Sequence, residues 1–315
     1  MTTPTKDKLF STREVPWMKL GRIEDQPKTA KEAAELGGLD FTVSLRQLAW
    51  VGNDGQVWSI PNRRAVVADD DHSFMGVVSG SAYHSLQYGE AFDFMDNLGQ
   101  PYVAAGALRG RRQGFMVVKP EVEAMVIGGE DPHDVFAVLR TSHDCSRAVE
   151  VSVMMLRGRC MNQLTLRSFT NDVKYRWAIK HTSTMKAKLD EAKTSLKNIG
   201  LYVKRFEELA DRLAERSVTA TKAREVLKIV IPQPKGKTPR TQLQWEERLA
   251  TIMSLWQSSP TVAYAGTAWG LVNAVSEYMD WYRPGGSPES RFINALEGET
   301  HKRINRTAGL LLSGV

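Results

Sequence analysis

The stretch VEVSVMMLRGRCMNQLTLRSFTNDVKYRWAIKHTSTMKAKL, Val149 to Leu189, hands a strand over to a long helix through a basic turn. Val149, Val151, Val153 and Met155 alternate with Glu150, Ser152 and Met154, the period-two pattern of a half-buried strand. Arg157, Gly158 and Arg159 follow, two cations about a flexible joint. Lys174, Arg176, Lys180, His181, Lys186 and Lys188 come next, with Tyr175 and Trp177 among them. Cations interleaved with aromatics suit a phosphate backbone and unstacked bases. The same composition also describes a solvated basic helix face, so residue types alone leave both readings open.

Downstream, apolar residues fall at Met185, Leu189, Ala192, Leu196, Ile199, Val203, Phe206, Ala210 and Leu213, in alternating steps of four and three. This is a heptad register of about four heptads on one continuous helix. Met185, Leu189, Leu196, Ile199, Val203, Phe206 and Leu213 are its expected assembly face, packing across a subunit interface or back on the same chain. Further helices are expected over Thr219–Ile231, Leu243–Trp256, Thr267–Tyr282 and Arg291–Leu312. A basic linker, PQPKGKTPRT at 232–241, separates the first two. Its Gly236-Lys237-Thr238 copies the end of a phosphate-binding loop. The glycine required five residues earlier is Ile231, and no strand precedes it, so no nucleotide site is read there.

Upstream the pattern is strands and turns. Residues 1–30 form a polar arm anchored by Val15-Pro16-Trp17-Met18. A short helix runs from Thr29 to Leu36, and a strand from Leu39 to Val43. Gly52-Asn53-Asp54-Gly55 is a hairpin signal. Strands are expected at Val57–Ile60, Arg64–Ala68, Phe74–Val78, Tyr102–Leu108, Phe115–Val118 and Asp134–Thr141, with a helix at Glu90–Leu98. The turn at 109–114 carries Arg109, Arg111 and Arg112 with two glycines, which suits phosphate as well as a plain solvated tip. The expected fold is α+β: an antiparallel sheet-rich domain over 31–180 with short helices, then a helical region over 181–315.

The chain has 315 residues, a formal charge of +6 and 25% charged residues, a mild bias towards polyanions. No window approaches the roughly 18 apolar residues of a membrane span, and the first residues carry no secretory signal. Cys145 and Cys160 are too few for a disulfide framework, which favours a reducing cytoplasm. Asp69, Asp70, Asp71, His143 and Asp144 are the residues a metal-dependent enzyme would use. The aspartates lack the glycine and glutamate of a calcium loop, and no second Cys/His pair accompanies His143 and Cys145. No catalytic motif is present, so neither a catalytic residue nor a cofactor is expected.

Several motifs then line up in order. Trp17-Met18-Lys19-Leu20-Gly21 is followed by the run from Arg64 to Asp71, Met75-Gly76-Val77-Val78-Ser79, Tyr83 and Glu90-Ala91-Phe92-Asp93-Phe94. Ser142-His143-Asp144, Arg157 to Leu164, Ile179-Lys180-His181-Thr182 and the segment from Thr267 to Val275 complete the set. Together these resemble the phage/plasmid-like family known as domain of unknown function 932, over roughly residues 15 to 310. The segment Cys160-Met161-Asn162-Gln163-Leu164 departs from that family's usual wording, and Ala68 stands where a cation is common. The resemblance implies mobile-element origin and a host bacterial cytoplasm. A more distant fold-level similarity is to phage single-strand annealing proteins of the Red-beta and Erf kind.

The resulting expectation is an ATP-independent phage protein that binds single-stranded DNA, anneals it and assembles into rings or filaments. Arg109, Arg111, Arg112, Arg157, Arg159, Lys174, Arg176, Lys180 and Lys186 would contact phosphates, with Tyr175 and Trp177 stacking on bases. A phage exonuclease or host replication protein would be a further partner, and no membrane is involved. The alternatives are a protein that engages a host factor through its helical region and a metal-dependent enzyme.

Overall fold

The computed structural model describes residues 9–12, 26–80, 83–99, 101–157, 163–164, 176–196, 199–236, 238–258, 264–296 and 298–314. In chain order these begin with strand β1 (Leu9–Ser11), helix α1 (Ala30–Leu36), strands β2 (Val43–Val51), β3 (Val57–Ala68) and β4 (Phe74–Ser79), and helix α2 (Tyr88–Phe92). Then come β5 (Tyr102–Leu108), β6 (Gln113–Val118), β7 (Met125–Ile127), β8 (Asp131–Ser142), β9 (Val149–Arg157), β10 (Gln163–Leu164) and β11 (Arg176–Ile179). Helices α3 (Met185–Leu196), α4 (Ile199–Ala214), α5 (Ala220–Val230), α6 (Pro239–Ser258), α7 (Ala268–Glu277), α8 (Pro288–Leu296) and α9 (Glu299–Ser313) follow. The α+β class expected from the pattern is observed, with two antiparallel sheets followed by helices.

The larger sheet has the order β1-β5-β6-β8-β9-β10, with β11 also on β9 and β7 on β8. Side chains alternate across it. One face presents Met116, Val135, Ala137, Leu139, Val151, Val153 and Met155 to the main core. The other presents Phe115, Val117, Phe136, Val138 and Met154, with the ring of Phe292 of α8 4.5 Å from that of Phe115 and tilted 49° to it. The sheet therefore lies between two covered faces, and β9 is buried on both rather than half-buried. Its polar residues survive burial through pairing: Glu150 accepts from Arg140 at 2.5 Å and lies 3.7 Å from Arg147.

Helix α1 sits directly on β5. Thr29 caps its start by accepting from the Glu32 amide, and Gly37 ends it against the strand. A Cβ on Gly37 would stand 2.9 Å from the Ala105 carbonyl carbon, so only glycine allows this approach. The second sheet is the meander β2-β3-β4. Strand β3 runs unbroken through Pro61, where two shorter strands were expected. A register shift opposite Gln47–Ala49 loops out the Pro61–Asn62 segment, which needs no ladder amide there, and Asn62 takes φ 56°. Gly76 on β4 lies against the β8–β9 turn: a Cβ there would stand 2.9 Å from Asp144 Cα.

The heptad positions occupy two helices, α3 and α4, rather than one helix traced throughout, residues 197–198 lying outside the described set. Met185, Leu189, Ile199, Val203, Phe206 and Leu213 are all buried in the core of their own chain. Phe206 meets the Trp269 ring edge-on at 6.2 Å. Leu196 falls in the last turn of α3. Of the two packings left open by the sequence, the seam adopts the intrachain one, so those side chains are not presented to another subunit.

Helix α7 is buried along its whole length. Thr267 caps it, and Trp269 donates to buried Asp131 at the start of β8. Tyr264 donates to the Ile127 carbonyl, while the Val126 and Gly128 amides reach Glu207 and Asp211 of α4. One hydrophobic cluster consequently runs from Phe10 through Trp177 to Leu311, across the boundary expected near residue 180. The closing helix expected over Arg291–Leu312 is two helices, α8 and α9. Asn294 accepts from the Glu299 amide at the junction and supports the new start. No helix among the described residues is long and apolar enough to cross a membrane.

Candidate nucleic-acid interface

Strand register brings separate cationic segments to one end of the large sheet. Gln113 at the start of β6 pairs with Ser142 at the end of β8, and Arg140 pairs with Glu150 near the start of β9. Ile179, closing β11, pairs with Val149. The β5–β6 turn at 109–112, the β8–β9 turn at 143–148 and the residues after β11 therefore share an edge. At about 4.8 Å per strand they extend over roughly 15 Å from β6 to β11.

Hydrogen bonds tie these turns together. The His143 amide donates to the Arg112 carbonyl at 2.9 Å, and Gln113 Nε2 donates to Ser146 Oγ at 2.7 Å. Ser142 Oγ closes its turn by donating to the Arg147 carbonyl and accepting from the Arg147 amide. Tyr88 Oη donates to the Arg111 carbonyl. The β3–β4 turn joins through Arg111, whose guanidinium reaches Asp70 at 2.6 Å and Asp71 at 2.8 Å and lies 3.8 Å over the Phe41 ring. Four non-glycine residues in these turns, His72, Arg109, Arg111 and Cys145, adopt φ between 52° and 68°. Such backbone strain clusters at functional sites.

The side chains at this end divide into two groups. Arg109, Arg112 and Lys180 are exposed. Arg111 is only 13% exposed and spent on Asp70, Asp71 and Phe41, so it builds the turn instead of meeting a ligand phosphate. His143 is wholly buried, its ring 4.0 Å from that of Tyr88. Burial, with His181 and Arg111 nearby, lowers its pKa to about 3, so it is neutral at physiological pH. His181 stacks on Tyr83 at 5.4 Å and is also shifted down by burial. Burial and Asp144 push the Cys145 thiol up, away from a reactive thiolate.

The carboxylates here already have partners. Asp69 accepts from Thr42 and Ser44, which together with Arg46 hold its pKa low. Asp71 accepts from the Ser73 amide as well as Arg111. No group of three or more His, Cys, Asp or Glu side chains is placed to hold a metal among the described residues.

Other expected contacts do not gather here. Arg157 ends β9 opposite His133, at the far end of the sheet. Arg176 pairs with Ser152, part-way along β9. Lys186 is not among these, since it lies in the first turn of α3, six residues after Lys180 on the chain leaving this end. Trp177 is 4% exposed and packs in the core opposite Val151, so it offers no ring face to a base. Arg159, Lys174 and Tyr175 lie outside the described residues.

One exposed aromatic, Phe74, opens β4 just after the β3–β4 turn at this end, and a pair lies elsewhere. Trp50 and Trp58 pair across the β2–β3 hairpin, 6.2 Å apart with 18° between ring planes, and each is at least half exposed. Both flank the Gly52–Gly55 turn signal, but alternating Trp and Val reads as core until the sheet's position is known.

A family model described as Domain of unknown function (DUF932) matches residues 75–308, and the chain belongs to that family. Neither a curated protein nor a solved structure matches it.

Proposed function

We propose that this member of the domain-of-unknown-function family binds single-stranded DNA at the turn-bearing end of its large sheet and anneals complementary strands without nucleotide hydrolysis. The observation that carries this reading is the meeting of Arg109 and Arg112 with Lys180, nearly seventy residues later in the sequence, at one sheet end. Annealing demands no catalytic group. It demands donors that neutralise phosphates while base edges stay free. Arg109 and Arg112 flank a Gly110 that lets the tip turn tightly, and Lys180 extends the track across the sheet. The resemblance to phage and plasmid proteins supports a bacterial cytoplasm as the setting, with rings or filaments as the working form.

The end is mixed in charge, with Asp69, Asp70, Asp71 and Asp144 beside the cations. Affinity should therefore be moderate and sensitive to salt. Arg112→Ala/Lys180→Ala changes two exposed side chains. It should shallow the dependence of log K on log salt by about 1.4 units, at ~0.7 per contact on a single strand. Annealing of labelled complementary strands without ATP should slow in parallel. An unchanged slope in a folded double variant would remove this end as the site and favour the alternative, protein engagement through the helical region.

A further inference from the structure

We propose that the exposed face of the β2-β3-β4 sheet stacks the bases of single-stranded DNA, taking up the strand where it leaves the turn-bearing end of the large sheet. This rests on the single-strand reading above and assigns the residues that meet bases.

Strand register defines the face. Trp50 lies opposite Trp58, Arg46 opposite Ala65, and Ser44 opposite Val67. On β4, Val77 pairs with Ala65, Phe74 with Val67, and Ser79 with Arg63. Alternation puts Trp50, Arg46, Arg63, Val77 and Phe74 on one side of the sheet. The other side carries Val43, Val66, Ala68 and Val78, all buried in the main core. The first side is open: Trp50, Trp58 and Phe74 are each at least half exposed, and Arg46 and Arg63 are exposed.

Rings and cations alternate along this face. Arg46 and Arg63 stand between the tryptophan pair near the hairpin tip and Phe74 near the root. Sites for single strands combine cations that follow the backbone with rings on which bases stack, a contact any base can make. The core of a protein interface is instead depleted of charge, so guanidinium groups set among the rings favour a polyanion. Two carboxylates border the face and both are engaged. Asp69 accepts from Thr42 and Ser44, and Asp54 accepts from the Gln56 amide in the hairpin turn. Arg46 approaches Asp69 only to 3.8 Å and keeps most of its side chain in solvent.

The face continues the cationic end. Phe74 opens β4 directly after the turn whose Asp70 and Asp71 hold Arg111, the residue next to Arg112. Gly76 packs β4 against Asp144 in the β8–β9 turn, which fixes the small sheet beside that end. From the row of Ser44 and Phe74 to Trp50 is six residues of β2, about 20 Å at ~3.4 Å per residue. A strand neutralised at the turns thus meets Phe74 first, then the guanidinium groups, then the tryptophan pair.

The test separates bases from phosphates. Anisotropy at low salt would compare an oligothymidylate of about 20 nucleotides with an abasic oligonucleotide of equal length. Wild type should bind the oligothymidylate more tightly. Trp50→Ala/Trp58→Ala should weaken that binding about tenfold, in the range expected for a lost stacking contact, and leave affinity for the abasic strand unchanged. Trp50→Phe/Trp58→Phe should restore most of the loss, and Phe74→Ala should weaken oligothymidylate binding about fivefold. Circular dichroism checks that each variant stays folded. A folded Trp50→Ala/Trp58→Ala variant with wild-type affinity for oligothymidylate would overturn the proposal. So would an equal loss on the abasic strand, or a wild type that does not distinguish the two. The cationic end is read separately, by Arg112→Ala/Lys180→Ala on the abasic strand, where its salt dependence should shallow whether or not the rings stack. Failure of either strand to bind wild type would overturn both.

Discussion

His143 is held neutral among aromatic rings, and its neutrality has a measurable cost in acid. Its folded pKa of about 3 lies below the unfolded value near 6.5, so the unfolded chain binds the extra proton first. The associated stability is fully present above pH 6.5 and is lost as pH falls towards 3, at up to about 1.4 kcal/mol per unit. His143→Leu should therefore flatten the urea midpoint between pH 6.5 and 4.5 relative to wild type. Equal acid sensitivity in the two proteins would place the titrating group elsewhere. Arg111 offers a second contrast at this scale. Arg111→Ala should cost about 1–2 kcal/mol, from a part-exposed ion-pair network and a ring contact. Its effect on DNA affinity should be smaller than that of Arg112→Ala, because Arg111 is already engaged. Sequence could not separate these neighbours. Both are arginines at one turn, and the difference arises from Asp70 and Asp71, some forty residues away.

Among the elements, periodicity revealed faces and left partners undecided. The register from Met185 to Leu213 shows an apolar stripe, and Met185, Leu189, Ala192, Ile199, Val203, Phe206, Ala210 and Leu213 are buried as it implies. What the stripe touches depends on α7 and the large sheet, neither of which is local to it. Phe206→Ala should destabilise the chain by about 3–5 kcal/mol in urea unfolding and leave its assembly mass unchanged. A fall in mass with unchanged stability would return the seam to a subunit interface. Strands were legible where alternation was regular, as in β8 and β9. Their burial on both faces was not, because Glu150 looks solvated until Arg140 is placed beside it. Pro61 hid the continuity of β3, since a proline inside a strand is tolerated only where the ladder is already interrupted.

For the whole molecule, the α+β class followed from composition and pattern, whereas the candidate site needed register. Arg112 and Lys180 are nearly seventy residues apart, and only the pairing of β6 with β8, β8 with β9, and β9 with β11 makes them neighbours. The same pairing sends Arg157 to the other end, although it follows the strand that looked central to the site. The cations around Trp177 suit a stacking ring, yet its alternation with Ile179 marks an inward face. The central claim, that a single strand lies across the turn-bearing end, is open to photo-crosslinking with an oligonucleotide carrying 4-thiothymidine, followed by mass spectrometry of the linked peptides. Crosslinks should concentrate in the 109–112 and 143–148 turns and after β11, and should weaken in Arg112→Ala/Lys180→Ala. Crosslinks confined to the Arg157 end or to α5–α9, or none above background at low salt, would contradict it.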